Sequence, residues 1–325
     1  MPTQRYLLSV VSLLIPFGMV WADSPRLPVL GNSEAWKRLP GAAPAEQPLP
    51  GWARMLAGPM PQTTARMLEL DAMHRSGDRL DAQLRCLVRW AAADANGCAY
   101  SKTMAAADLR RARNADADLA KLIDHPEKLP ALDRAAVAFA RKMMREAHAV
   151  TDAEVKHLLD LAGEERLVAL VTLVAYSSFQ DRVILALNVP PEPADGIAPF
   201  QGQFNRMSKK EPKSSKGPPP PPTVAAGASI TPNWLQYQQN LEKQRGKSGR
   251  IRVPSREEVL NRIGKDHPSA WQVEINWSRV CYGFQPELTE TWFDCAGAFR
   301  QESKFSPVFQ QSVFWVVTQS LECFY

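Results

Sequence analysis

Shifted by 225 positions, the end of the sequence lies on its first half without a gap. Leu84-Arg-Cys-Leu-Val-Arg-Trp90 meets Phe309-Gln-Gln-Ser-Val-Phe-Trp315, and Asn96-Gly-Cys98-Ala-Tyr100 meets Leu321-Glu-Cys323-Phe-Tyr325. Upstream, Pro61 meets Pro286, Arg75 meets Arg300 and Leu80 meets Phe305. A Trp, a Cys eight residues on and a Tyr two further, in one apolar register, constrain the chain more than any single match. One domain type used twice is the expectation, and 325 residues suit two domains.

The periodicity within the repeated stretch predicts an all-α unit. Residues 79–95 carry the apolar spacing of a buried helix, and Asn96-Gly97 is a strong stop signal. Pro130 opens a second helix at 131–140, proline being tolerated in a first turn. Thr151-Asp-Ala-Glu154 reads as a capping box, and residues 164–187 form a long apolar helix ended by Pro190-Pro191. No strand-like alternation appears. A first helical domain is therefore expected at 51–200, after a Pro/Ala-rich irregular segment at 23–50. A Lys/Pro-rich spacer follows at 201–233, with five consecutive prolines at 218–222. Helical pattern resumes at Trp234, with a second capping box at Ser255-Arg-Glu-Glu258, so 234–325 reads as a partial second domain. That copy ends at Tyr325, where the first continues for about 90 more residues through long helices. An incomplete helical unit leaves its apolar face open.

The first 22 residues have the layout of a signal peptide: Arg5, an apolar run, and Val20-Trp-Ala22 as a small-residue cleavage site. Pro16 interrupts the run, which is short for a membrane span. A secreted or periplasmic protein is expected, with no membrane association beyond the signal. The excess of 39 basic over 34 acidic residues lies largely in the lysine-rich stretches between the two units. It forms no aromatic-plus-basic stripe, so no nucleic-acid partner is expected. The five histidines show no metal-ligand spacing, and neither metal nor cofactor is expected. Five cysteines, at 86, 98, 281, 295 and 323, are an odd number for an exported chain; Cys281 and Cys295 are one possible pair.

In both copies a cysteine follows a long apolar helix, at or near the start of the next. A helix N-terminus presents unpaired N–H groups and partial positive charge, which favours thiolate over thiol. Asn96-Gly-Cys98-Ala-Tyr-Ser101, set after a Leu-Arg-x-Leu-Val helix, resembles the carboxymuconolactone decarboxylase and alkyl hydroperoxidase D superfamily over about 51–190 and again 270–325. The resemblance implies an all-helical, usually oligomeric fold. In the peroxidase branch it implies a Cys-x-x-Cys pair that reduces hydroperoxides, with a histidine four residues after the second cysteine and a glutamate twelve before the first. On those positions this chain has Cys98 for the first cysteine, Ser101 for the attacking one, Ala105 for the histidine and Cys86 for the glutamate. A serine with no neighbouring base is a poor nucleophile towards peroxide, so the first copy reads as structural. A fold-back at Asn96-Gly97 would bring Cys86 towards the motif; otherwise Cys86 and Cys98 are two buried small hydrophobes.

The second copy keeps Cys323 at the first-cysteine position, with Gln311 at the glutamate position. Its second cysteine would be the first residue past Tyr325. Some proteins of this superfamily carry Cys-x-x-selenocysteine, whose codon is normally read as a stop, and a frameshift or a fragment explains the ending equally. Three functions stay open. One is thiol peroxidase or disulfide chemistry around Cys323, acting on a small hydroperoxide with a thiol reductant. Another is a non-catalytic helical module that homo-oligomerises or binds a partner. The third is decarboxylation of a small organic acid.

Overall fold

The computed structural model describes residues 24–43, 47–113, 119–205 and 249–321, with isolated positions between 235 and 243. The predicted signal peptide, most of the spacer, and Cys323 lie outside the described residues.

Among the described residues the fold is mostly helical. Its helices are α1 (Asn32–Arg38), α2 (Gly51–Leu56), α3 (Pro61–Ser76), α4 (Ala82–Ala95), α5 (Ala99–Arg113), α6 (Leu119–Asp124), α7 (Ala131–Glu146) and α8 (Asp152–Leu187). The second stretch supplies α9 (Arg256–Ile263), α10 (Asn276–Phe284), α11 (Pro286–Glu302) and α12 (Pro307–Ser320). None is long and apolar enough to cross a membrane.

The stop at Asn96-Gly97 takes the form its residues demand. Gly97 adopts φ +69°, its N–H bonds the carbonyl of Asp94, and the Cys98 N–H reaches back to Ala93. That is a Schellman closure, which needs a residue free to enter the left-handed region. Both capping boxes form, at Thr151–Glu154 and Ser255–Glu258. Within α8, Gly163 at φ +75° and ψ 169° kinks the helix where the capped segment gives way to the long apolar one.

α4 is the central helix of the first block, packed against α5, α7 and α8. Leu87, Val88, Ala91, Ala136, Ala140 and Leu170 form the core on one side. A second core on the other side joins Trp52, Met55, Leu68, Cys98 and Phe200 to Cys295 from α11. The segment expected to be irregular, 23–50, contains α1 and a two-residue strand, Ala42–Ala43, paired antiparallel with Gln203–Phe204. Seven residues are too few to show a helical period. They are fixed by tertiary contacts instead, with Trp36 stacking on Phe204 and donating from Nε1 to the Gln47 carbonyl.

The second stretch docks on the first through α3 and α11, which run antiparallel. Glu302, at the end of α11, accepts from the N–H groups of Gln62 and Thr63 at the start of α3. At the other end Thr291 Oγ1 lies 3.3 Å from Met73 Sδ. Helix boundaries follow the 225-residue offset: α3 begins at Pro61 and α11 at Pro286, while α4 spans Ala82–Ala95 and α12 Pro307–Ser320. The N-cap residues of α3 and α11 share a backbone conformation, φ −144° and ψ 61° at Met60 against φ −141° and ψ 65° at Gln285. Thr64 and Thr289 then make the same hydroxyl-to-carbonyl bond, at 2.7 and 2.6 Å. Neither this pair nor Trp52 with Trp277 figures in the sequence comparison above, because isolated identities carry weight only once helix ends fix the frame.

α4 and α12 differ sharply in burial. Leu87, Val88 and Ala91 of α4 are fully covered, whereas Phe309, Phe314 and Val316 of α12 are 50, 64 and 56% exposed. A contiguous apolar surface of this kind is unusual for an isolated soluble domain.

Candidate functional site

The Cys98 turn is built by three elements: the end of α4, the start of α5 and the last third of α8. Cys98 Sγ donates to Ser101 Oγ at 3.3 Å, and Asn96 Nδ2 donates to Asp181 Oδ2 at 2.8 Å. Cys98 is wholly buried, and Ser101 and Asp181 nearly so. The sequence placed this sulfur where a helix N-terminus favours the thiolate. The structure reverses that expectation: burial, reinforced by the negative charge of Asp181, pushes the thiol up to about 11. A helix terminus is worth only about 1 kcal/mol, and loss of solvation together with a neighbouring carboxylate exceeds it. Asp181 is itself pushed above the ordinary aspartate range by burial, against the opposing hydrogen bonds of Ser101, Asn96 and Cys98.

Below this turn lies a buried ion network. Asp108 of α5 accepts from Arg75 Nε and Nη2, both at 2.8 Å, and from Arg89 Nη1 at 2.5 Å. Arg111, closer to the surface, adds a bond at 2.6 Å. Arg75 also reaches Asp71, whose other oxygen accepts from Tyr176 and Gln180. Tyr100 donates to Glu192. The arginines are held by carboxylates and the carboxylates by arginines or neutral donors, so the network is saturated. Between Ser101, Arg89 and Gln180 there is a closed gap with no room for a water-sized molecule.

The sequence-named residues fall as follows. Cys98 and Ser101 come together. Cys86 does not join them: α4 and α5 form an antiparallel pair, which sets Cys86 beside Arg89 and Asp108 at the far end of α5, in the other core. Burial raises its thiol too. The fold-back that would have brought Cys86 towards the motif is thereby corrected, and Cys86 packs as a small hydrophobe. Ala105, at the histidine position, is fully buried. Cys281 and Cys295 are both free, as are Cys86 and Cys98, so the pairing considered for Cys281 and Cys295 does not form. Cys281 lines a groove against α8 while Cys295 faces the core shared with α3. Among the described residues no cluster of side chains could hold a metal ion.

Asp181, Arg75, Arg89 and Asp108 were missed by sequence reading. Charged residues at 75, 89 and 108 in apolar helices were a faint signal, since such residues are rarely buried unless paired. No protein-family model, curated protein or solved structure matches the chain.

Proposed function

We propose that the chain is an exported tandem protein of the carboxymuconolactone decarboxylase and alkyl hydroperoxidase D type, whose first copy is a non-catalytic helical scaffold. The common 225-residue offset of helix ends and N-cap geometry supports the tandem reading. One observation carries the scaffold reading: Cys98 is fully buried, bonded to the neutral Ser101 hydroxyl, and its thiol is pushed up to about 11. A hydroperoxide needs an accessible thiolate, and the gap beside Ser101 does not admit even a water. Decarboxylation needs an acid–base pair open to substrate, whereas Asp71 and Asp108 are committed to buried partners. Thiol chemistry, if the chain has it, belongs to Cys323. The uncovered apolar surface of α12 supports the expectation that the protein assembles with further polypeptide.

The test is site-resolved alkylation of the full chain with and without hydrogen peroxide, read by mass spectrometry. Native Cys98 should stay unmodified at pH 7–8 and become fully labelled only after denaturation. Sulfenic acid formation at Cys98 in the folded protein would sink the scaffold reading, while peroxide-dependent loss of labelling at Cys323 alone would locate the chemistry there.

A further inference from the structure

A cavity of about 510 Å³ lies where the C-terminal end of α3 meets the N-terminal end of α11, lined by His74, Gly77, Arg85, Leu173 and Leu288 among others. The opposite end of the same helix pair shows what such a junction holds. There the Glu302 carboxylate accepts from the Gln62 N–H at 2.7 Å, the Thr63 N–H at 2.8 Å and Thr63 Oγ1 at 2.7 Å. Across the 225-residue offset, Gln62 and Thr63 correspond to Glu287 and Leu288, and Glu302 corresponds to Gly77. At the cavity the chain therefore has the receiving N–H groups but no carboxylate to fill them. Nor can position 77 readily supply one, since a Cβ there would come within 2.7 Å of the Met73 carbonyl.

The receiving end is otherwise ready. α11 has no side-chain cap, Pro286 is its first residue, and its first intrahelical bond is made by Thr289 to Gln285. The N–H groups of Glu287 and Leu288 precede that bond. Arg85 is anchored by Nη1 to the Gly77 and Leu80 carbonyls, while its buried Nε has no partner. His74 is 5% exposed, stacks on Tyr176 at 4.3 Å, and has a buried Nε2 without a partner. Burial, with the charge of Arg89, lowers His74 to about 3, so the ring is neutral and offers one N–H. Asp78 and Glu287 also line the cavity and oppose a ligand of high negative charge.

We propose that this junction binds a small organic monocarboxylate, its oxygens received by the Glu287 and Leu288 N–H groups and the Arg85 guanidinium in the place Glu302 takes on α3. The proposal is independent of the reading of Cys98. Calorimetric titration of the full chain with propionate tests it, with inorganic phosphate titrated alongside. Saturable one-to-one binding is expected, weakened about tenfold or more by Arg85→Met. Ser76→Trp, at an exposed position on the rim, should block the cavity to the same degree while the protein stays folded. Arg182→Met, exposed on α8 and away from the cavity, should leave the affinity unchanged. The proposal is overturned if folded protein shows no saturable propionate binding, if Ser76→Trp binds as tightly as the parent, or if phosphate binds as well as propionate.

Discussion

Replacing Asp108 by Asn removes one negative charge from the most heavily bonded carboxylate described in the molecule and leaves its shape almost unchanged. Burial alone would raise this carboxyl, but the hydrogen bonds of Arg75 and the charges of Arg89 and Arg75 hold it well below the ordinary aspartate range. In Asp108→Asn, Arg75 keeps its 2.9 Å contact with Asp71. Arg89 loses the only carboxylate it is paired with, at 5% side-chain exposure. The cost is therefore that of stranding one buried guanidinium, about 3–5 kcal/mol. Arg111 adds little, since its side chain is 38% exposed and water screens it. Against a typical total stability of about 5–15 kcal/mol, such a loss is easily seen as a fall in the urea midpoint at unchanged slope. A double substitution with Arg89→Met should cost less than the sum of the two single changes, because it removes the stranded cation along with its lost partner. An Asp108→Asn variant within about 1 kcal/mol of the parent would refute the claim that this carboxylate neutralises a buried charge. The pH sign follows from the depressed value: the contribution is complete above the unfolded aspartate pKa of about 3.9 and is lost as pH falls below it.

Three further outcomes are expected. His74 is lowered to about 3 in the folded chain, so between the unfolded value of about 6.5 and 3 the unfolded state binds the extra proton and stability falls with acidification. His74→Phe should flatten the stability–pH curve across that window by up to about 1.4 kcal/mol per pH unit, and an unchanged slope would count against a buried neutral ring. Gly163→Ala should lower stability by about 1–3 kcal/mol in thermal or urea unfolding, because φ +75° with ψ 169° is a conformation that only glycine adopts freely. A joint Phe314→Ser and Val316→Ser change should reduce the fluorescence of a hydrophobic dye without altering helix content, since both side chains are more than half exposed; undiminished dye binding would show that α12 is covered in solution.

The helical class, the stop at Asn96-Gly97, both capping boxes and the 225-residue offset were legible in the sequence because each rests on local chemistry. Gly97 can enter the left-handed region, Thr151 and Ser255 can accept from an N–H three residues on, and apolar spacing marks a face. The α1 segment was not legible, being held by Trp36 and Gln47 through contacts with residues near 200. Nor was the state of Cys98. From sequence its position at a helix start favoured the thiolate, and only the packing of α8 across the turn brought Asp181 to it and removed the water that would have solvated the charge. Likewise the sequence supplied Arg75, Arg89 and Asp108 as scattered charges in three helices. Tertiary structure alone made them one saturated network, because burial forbids an unpaired charge and the helices must cross where the partners meet.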